Sequence, residues 1–149
     1  MARYAAAWRT AAAGTSTLPM ASLYAQATGG LWLAEVGVTN TTVTPLAISL
    51  KRFSTLGTVG AIVPGVGYEE NDGGVTTKGI AADTHTGTAP TAVAGEIRRA
   101  SIGASIGSGI IWTFGGRGLF IPSGTANGVG LIPITGTGQI CDVYFSWDA

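Results

Sequence analysis

"ICDVYFSW", residues 140–147, alternates apolar and polar side chains from Cys141 onward, and its reading decides the fold. Cys141, Val143, Phe145 and Trp147 share one side of an extended chain, and Asp142, Tyr144 and Ser146 share the other, because successive side chains of a strand point to opposite faces. The same period of two recurs in "LAISLKRF" (46–53), where Leu46, Ile48 and Leu50 oppose Ser49 and Lys51. In "WLAEVGV" (32–38), Trp32, Ala34, Val36 and Val38 oppose Glu35. One dry face and one wetter face point to half-buried antiparallel strands, since parallel strands need intervening helices. No amphipathic helix is legible after residue 15. "AAAWRTAAA" (5–13) has helix propensity but lacks a wide apolar stripe, and in strand phase Tyr4, Ala6 and Trp8 lie together.

Working outward, glycine clusters at 28–30, 64–67, 71–74, 106–109, 115–118, 123–128 and 135–138 separate these apolar segments. Short strands joined by tight turns follow from that spacing. The predicted strands are 3–10, 17–26, 31–39, 44–53, 58–63, 92–103, 109–114, 118–122, 127–134 and 139–147. The expected fold is all-β: an antiparallel β-sandwich, a single jelly roll of about eight strands with an N-terminal arm. Residues 1–15 form the arm or a first strand, and 16–149 form the sandwich with a long loop at 64–90. No fixed-period repeat argues for a propeller or a β-helix.

The chain has 149 residues, of which 11% are charged, against about 25% in an average soluble domain. So few charges cannot cover a monomer's surface in the usual way, so part of the surface is expected to be covered by other protein. Eight basic residues balance eight acidic ones, which removes the basic field that draws a protein to nucleic acid. The pairs Lys51-Arg52 and Arg98-Arg99 read as outward strand faces. The lone Cys141 excludes an intrachain disulfide and a cysteine-based zinc cluster. No apolar run reaches the roughly 18 residues of a membrane span, and Arg9 interrupts the alanine run that would otherwise resemble a signal peptide.

Chemistry has few places to occur. "EENDGGVTTKGIAADTHTGTAP" (69–90) holds Glu69, Glu70, Asp72 and Asp83 and the only histidine, His85. Its spacing does not match a calcium-binding EF-hand loop, and adjacent acids before Gly-Gly read as a solvated turn. Asp72, Asp83 and His85 are therefore expected to shape the loop through local hydrogen bonds. No G-x-S-x-G elbow, phosphate loop or dinucleotide fingerprint is present. "GGRG" (115–118) reads as a hairpin turn between "IIWTF" and "LFIP". Trp32, Trp112 and Trp147 read as core. Trp8, beside Arg9 in the N-terminal segment, reads as a partner contact, and Arg3, Tyr4, Trp8 and Arg9 are the candidate assembly contacts.

The order "MARYAA", "LYAQAT", "LWLAEVGVTN", "LAISLKRFST", "ADTHTGTAP", "IIWTFGGRGLFIPSGTANGVGL" and "CDVYFSW" resembles the small single-jelly-roll virion proteins of tailed bacteriophages, the capsid decoration or cement proteins. The resemblance spans nearly the whole chain through fold-shaped patterns. It implies a non-enzymatic component of the head exterior, made in the host cytoplasm and trimeric, that clamps the major capsid protein from outside. No catalytic residue or cofactor is carried over, and neither nucleic acid nor membrane is an expected partner. The alternatives are a jelly-roll module on a tail, collar or fibre that binds carbohydrate, and, third, an enzyme.

Overall fold

The computed structural model describes residues 1–68, 78–134 and 137–149. Among them there is no helix, and two antiparallel sheets pack as a sandwich. The strands are β1 (Arg3–Arg9), β2 (Ala21–Ala25), β3 (Leu31–Asn40), β4 (Leu46–Phe53), β5 (Ile62–Val63) and β6 (Val66–Gly67), followed by β7 (Gly79–Ala82), β8 (Arg98–Ile102), β9 (Gly109–Thr113), β10 (Leu119–Ile121), β11 (Gly128–Pro133) and β12 (Cys141–Asp148). The first sheet runs β10-β3-β12-β1-β6, with β9 also paired to β3, and the second runs β5-β7-β2-β11-β4-β8.

The inner faces of the two sheets meet in one core. Cys141, Val143, Phe145 and Trp147 of β12 pack there with Leu23 of β2, Leu46, Ile48 and Leu50 of β4, and Val129 and Leu131 of β11. The alternation read in β12 and β4 therefore does place their apolar faces inward. A smaller cluster of Tyr24, Phe53 and Ile132 lies apart from this core, with Leu56, Val59 and Ile80 packed against it. Ser22 and Ser49 are buried as well, so the polar face of the second sheet is drier than its sequence pattern implied. Among the described residues no strand covers the outer face of the first sheet.

In four places the structure differs from the predicted strands and turns. In β3, Ser146 pairs with Glu35 but Trp147 pairs with Leu33, so Ala34 is an extra residue. Such a bulge shifts the alternation by one: Leu31 and Leu33 point inward before it, Val36 and Val38 after it. Trp32, read as core, instead lies partly exposed against Phe120, whereas Trp112 and Trp147 are in the core. Second, "GGRG" does not close a hairpin. β9 and β10 both pair with β3 and run in the same direction along it, with 114–118 as an excursion opposite the bulge. Gly118, at φ +82°, has no room for a side chain, since a Cβ there would lie 2.6 Å from the Leu33 carbonyl.

Third, the predicted strands 17–26, 58–63 and 92–103 shorten to β2, β5 and β8. Thr15 Oγ1 accepts from the Leu18 N–H and folds 15–18 into a turn. Thr58 and Ser54 bond to Thr88 and Thr91 and so belong to a loop pair. Val93 and Ile97 both donate to β4, at Arg52 and Leu50, with 94–96 looping out between them. Fourth, the long loop 64–90 contains β6 and β7, and β7 joins the second sheet beside β2. Residues 3–9 are a strand paired along its whole length with β12.

Candidate functional site

Strand β1 divides the predicted assembly contacts between its two faces. Arg3 and Arg9 point outward, and each stands directly opposite an aspartate of β12. Arg3 donates to Asp148 at 2.7 and 2.8 Å, and Arg9 to Asp142 at 2.8 and 3.0 Å. The forked geometry suits a carboxylate, and it holds both aspartates below the usual carboxylate range. The charges on this face are thus largely self-neutralised. Tyr4 and Trp8 take the inward phase of the same strand. Tyr4 is buried and stacks on Trp147, and Trp8 stacks on Phe145 at 5.9 Å. Tyr4 is thus closed off from the surface, whereas Trp8 stays partly exposed.

Of the loop-shaping residues, Asp72 lies outside the described residues. Asp83 and His85 do shape a segment, but it is the N-terminal crossing between β1 and β2. Asp83 Oδ1 accepts from Trp8 Nε1 and the Ala11 N–H, both at 3.1 Å. Thr84 Oγ1 lies 3.2 Å from the Ala12 N–H and 3.1 Å from its carbonyl. The His85 N–H donates to Pro19. Asp83→Ala should therefore cost about 1–3 kcal/mol, because it leaves a partly buried indole donor without its acceptor. Thermal denaturation followed by tryptophan emission measures this directly.

His85 is not solvated. It is 1% exposed, its Nε2 lies 2.8 Å from Ser22 Oγ, and its Nδ1 is buried without a hydrogen-bond partner. Burial pushes its pKa down to about 4. The imidazolium would need an acceptor for a second N–H, and none is there. Ser22 and His85 approach at the distance of a nucleophile and its base, but Ser22 is fully buried and the carboxylate of Asp83 bonds to Trp8 and Ala11. The pair ties β2 to the 83–86 segment. Cys141 is likewise buried, and its thiol is pushed up to about 11. Among the described residues no group of three His, Cys, Asp or Glu side chains is placed to hold a metal ion.

The part of the surface that stands out is one end of the sandwich, where loop 41–45, loop 103–108 and residues 137–140 gather. Buried Asn40 organises it: Nδ2 donates to the Thr44 carbonyl at 2.7 Å and to the Gly103 carbonyl at 3.1 Å, while Oδ1 accepts from the Thr42 N–H at 3.0 Å. The Thr42 hydroxyl lies 2.9 Å from the Gln139 side-chain amide, and Thr41 Oγ1 donates to the Ile140 carbonyl. A nearly saturated buried amide of this kind fixes the loops it touches. The loops expose Val43 (72%), Ile106 (71%) and Ile140 (38%). No Asp, Glu, Lys, Arg or His occurs in 36–50, 100–116 or 118–141, so these loops carry no charge, and the Arg9–Asp142 pair beside Thr39 flanks them.

A depression of about 390 Å³ adjoins this end on the outer face of the first sheet, lined in part by Gly37, Thr39, Gly107, Ile111 and Tyr144. Tyr144 lies flat over Gly37, where a Cβ would come within 2.0 Å of the ring, and its hydroxyl donates to Glu35. Burial and this bond raise the phenol's pKa and keep it protonated. Glycine inside a strand is here the condition for close approach of a neighbouring ring. No protein-family model, no curated protein and no solved structure matches this chain.

Proposed function

We propose that the chain is a single jelly roll and a non-enzymatic structural protein of a bacteriophage virion: a capsid decoration protein that binds the outer surface of the head as a symmetric oligomer and stabilises it. The jelly-roll reading rests on strand order. β1-β12-β3, continued by β9 and β10, faces β2-β11-β4-β8, and the chain passes from one sheet to the other between β1 and β2, β2 and β3, β3 and β4, β8 and β9, β10 and β11, and β11 and β12, the crossings expected of a double-sheet roll built from Greek keys. The functional reading rests on the uncharged end of the sandwich. Depletion of charge and exposure of apolar side chains characterise the centre of protein interfaces, and here both are presented by two loops pinned by one buried asparagine and a third tied to them through Thr41 and Thr42. The major capsid protein is the partner this reading names.

Attachment through that end makes a direct test. Purified protein should co-sediment with heads that lack it and raise their resistance to heat. Val43→Asp combined with Ile106→Asp should lower the affinity at least about ten-fold, because a charge would be buried in an apolar contact. Both side chains are exposed, so the fold should tolerate the change. Wild-type affinity in the double variant would refute this attachment surface.

One observation favours a second reading, a carbohydrate-binding module on a tail, collar or fibre. Trp32 and Phe120 form a ring pair with centroids 4.6 Å apart, and Phe120 is exposed, which makes an aromatic platform on which a sugar could stack. Tryptophan emission across a glycan panel distinguishes the two readings.

A further inference from the structure

The edges of the two sheets are guarded unequally. β5 and β6 are two residues long, and β8 carries Arg98 and Arg99. At β10, Arg52 Nη2 donates to the Phe120 carbonyl at 2.8 Å and caps the edge there. Short strands, charges and capping are ways by which proteins keep a sheet edge from pairing with another chain. β9, "GIIWT", has none of them: it is uncharged, five residues long and paired on one side only, to β3.

The ladder fixes which of its backbone groups are free. The Phe114 N–H donates to the Ala34 carbonyl, and the Asn40 N–H to the Ser108 carbonyl. Bonded residues alternate along an antiparallel strand, so Ile110 and Trp112 bond to β3. Gly109, Ile111 and Thr113 turn their N–H and C=O groups away from it. Their side chains lie on the open face of the first sheet, where Ile111 is 61% exposed.

We propose that β9 pairs with β9 of a second copy, antiparallel about a two-fold axis through Ile111, which continues the first sheet across the dimer. In that register Ile111 meets its own copy and Gly109 meets Thr113. All outward backbone groups are then satisfied, in about six hydrogen bonds. Cross-strand Ile–Ile contact is favourable, and the glycine leaves room beside the threonine. The charges also comply. Arg98 stacks over Phe114 at 5.0 Å, just beyond the C-terminal end of β9, and Arg117 follows in the same loop. Antiparallel pairing sends the two copies' arginines to opposite ends of the contact, so like charges do not meet. The assembly closes at two copies, where the resemblance to decoration proteins implies three.

Cysteine substitution tests the axis itself. Residues facing each other in a hydrogen-bonded antiparallel pair have Cα atoms about 5.5 Å apart, within the span of a disulfide. Under mild oxidation Ile111→Cys should form a covalent dimer. Thr113→Cys should not, because the two copies of residue 113 would be roughly 14 Å apart along the strand. The native Cys141 is fully buried and does not interfere. Sedimentation equilibrium of the unmodified protein should show a monomer–dimer equilibrium that Ile111→Lys shifts to monomer. A folded Ile111→Cys variant that fails to cross-link, equal cross-linking at both positions, or a three-copy species would overturn the proposal. The experiment uses the purified chain alone, so its outcome is independent of whether the protein attaches to heads.

Discussion

Acidification from pH 7 to pH 4 is expected to remove about 3 kcal/mol of folding stability through His85 alone. In the folded chain this imidazole titrates at about 4, and in the unfolded chain near its ordinary 6.5. Above pH 6.5 it is neutral in both states and stability does not depend on it. Between 6.5 and 4 the unfolded chain takes up a proton that the folded chain refuses, so stability falls as the pH falls. Below 4 both states are protonated and the loss is complete. The cause is desolvation: Tyr24 packs against the ring with centroids 6.0 Å apart, Nε2 is engaged by Ser22, and Nδ1 has no acceptor to receive a proton's bond. Urea denaturation at a series of pH values measures it. His85→Gln should flatten the curve between pH 6.5 and 5, where no other histidine contributes. The carboxylates of Asp142 and Asp148, held low by Arg9 and Arg3, titrate below that window.

Trp147→Ala should cost about 3–5 kcal/mol, the range for a large aromatic residue deleted from a core. The indole is fully buried and shares the inner face of β12 with Phe145. It stacks on Tyr4 with ring centroids 6.1 Å apart and so joins β12 to β1. It also faces Gly79 at the start of β7, where a Cβ would lie 2.9 Å from Nε1. One side chain thus packs against both sheets, and its deletion would leave a cavity between them. A loss of this size is a large part of the roughly 5–15 kcal/mol that stabilises an ordinary domain. Trp147→Phe should recover part of it. The midpoint of urea unfolding at neutral pH gives the comparison.

Both predictions rest on residues whose sequence signals differed in strength. Trp147 was legible: four apolar side chains in strict alternation leave no doubt which face of β12 is dry. The same holds for Leu46, Ile48 and Leu50 of β4. His85 was not legible as a core residue, because β7 contains no large side chain except Ile80, and "GIAADTH" reads as loop. Ala81 and Ala82 are nonetheless buried, paired with Leu23 and Ser22 of β2. The bulge at Ala34 was invisible as well. Nothing local marks an extra residue, yet it reversed the phase assigned to Trp32 and Ala34. The β9–β10 edge was misread because a glycine cluster looks alike whether the chain reverses or only detours.

The candidate surface illustrates the same limit. Arg3 and Arg9 do reach the exterior, but they spend their charge on Asp148 and Asp142. The uncharged end depends on Asn40, Thr42, Gly103 and Gln139, residues distant in sequence that only the fold brings together. A signal was present in the sequence: three long intervals without charge, 36–50, 100–116 and 118–141. Mapping those intervals onto strand ends finds the surface, whereas a search for reactive motifs does not.

The most direct test of the central claim is quantitative peptide mass spectrometry of purified virions, counting this chain relative to the major capsid protein. The account predicts a ratio approaching one copy per capsid subunit, as expected for a protein that covers the head through its uncharged end. A few copies per particle would place it in the collar or tail, and its absence from the particle would contradict the account.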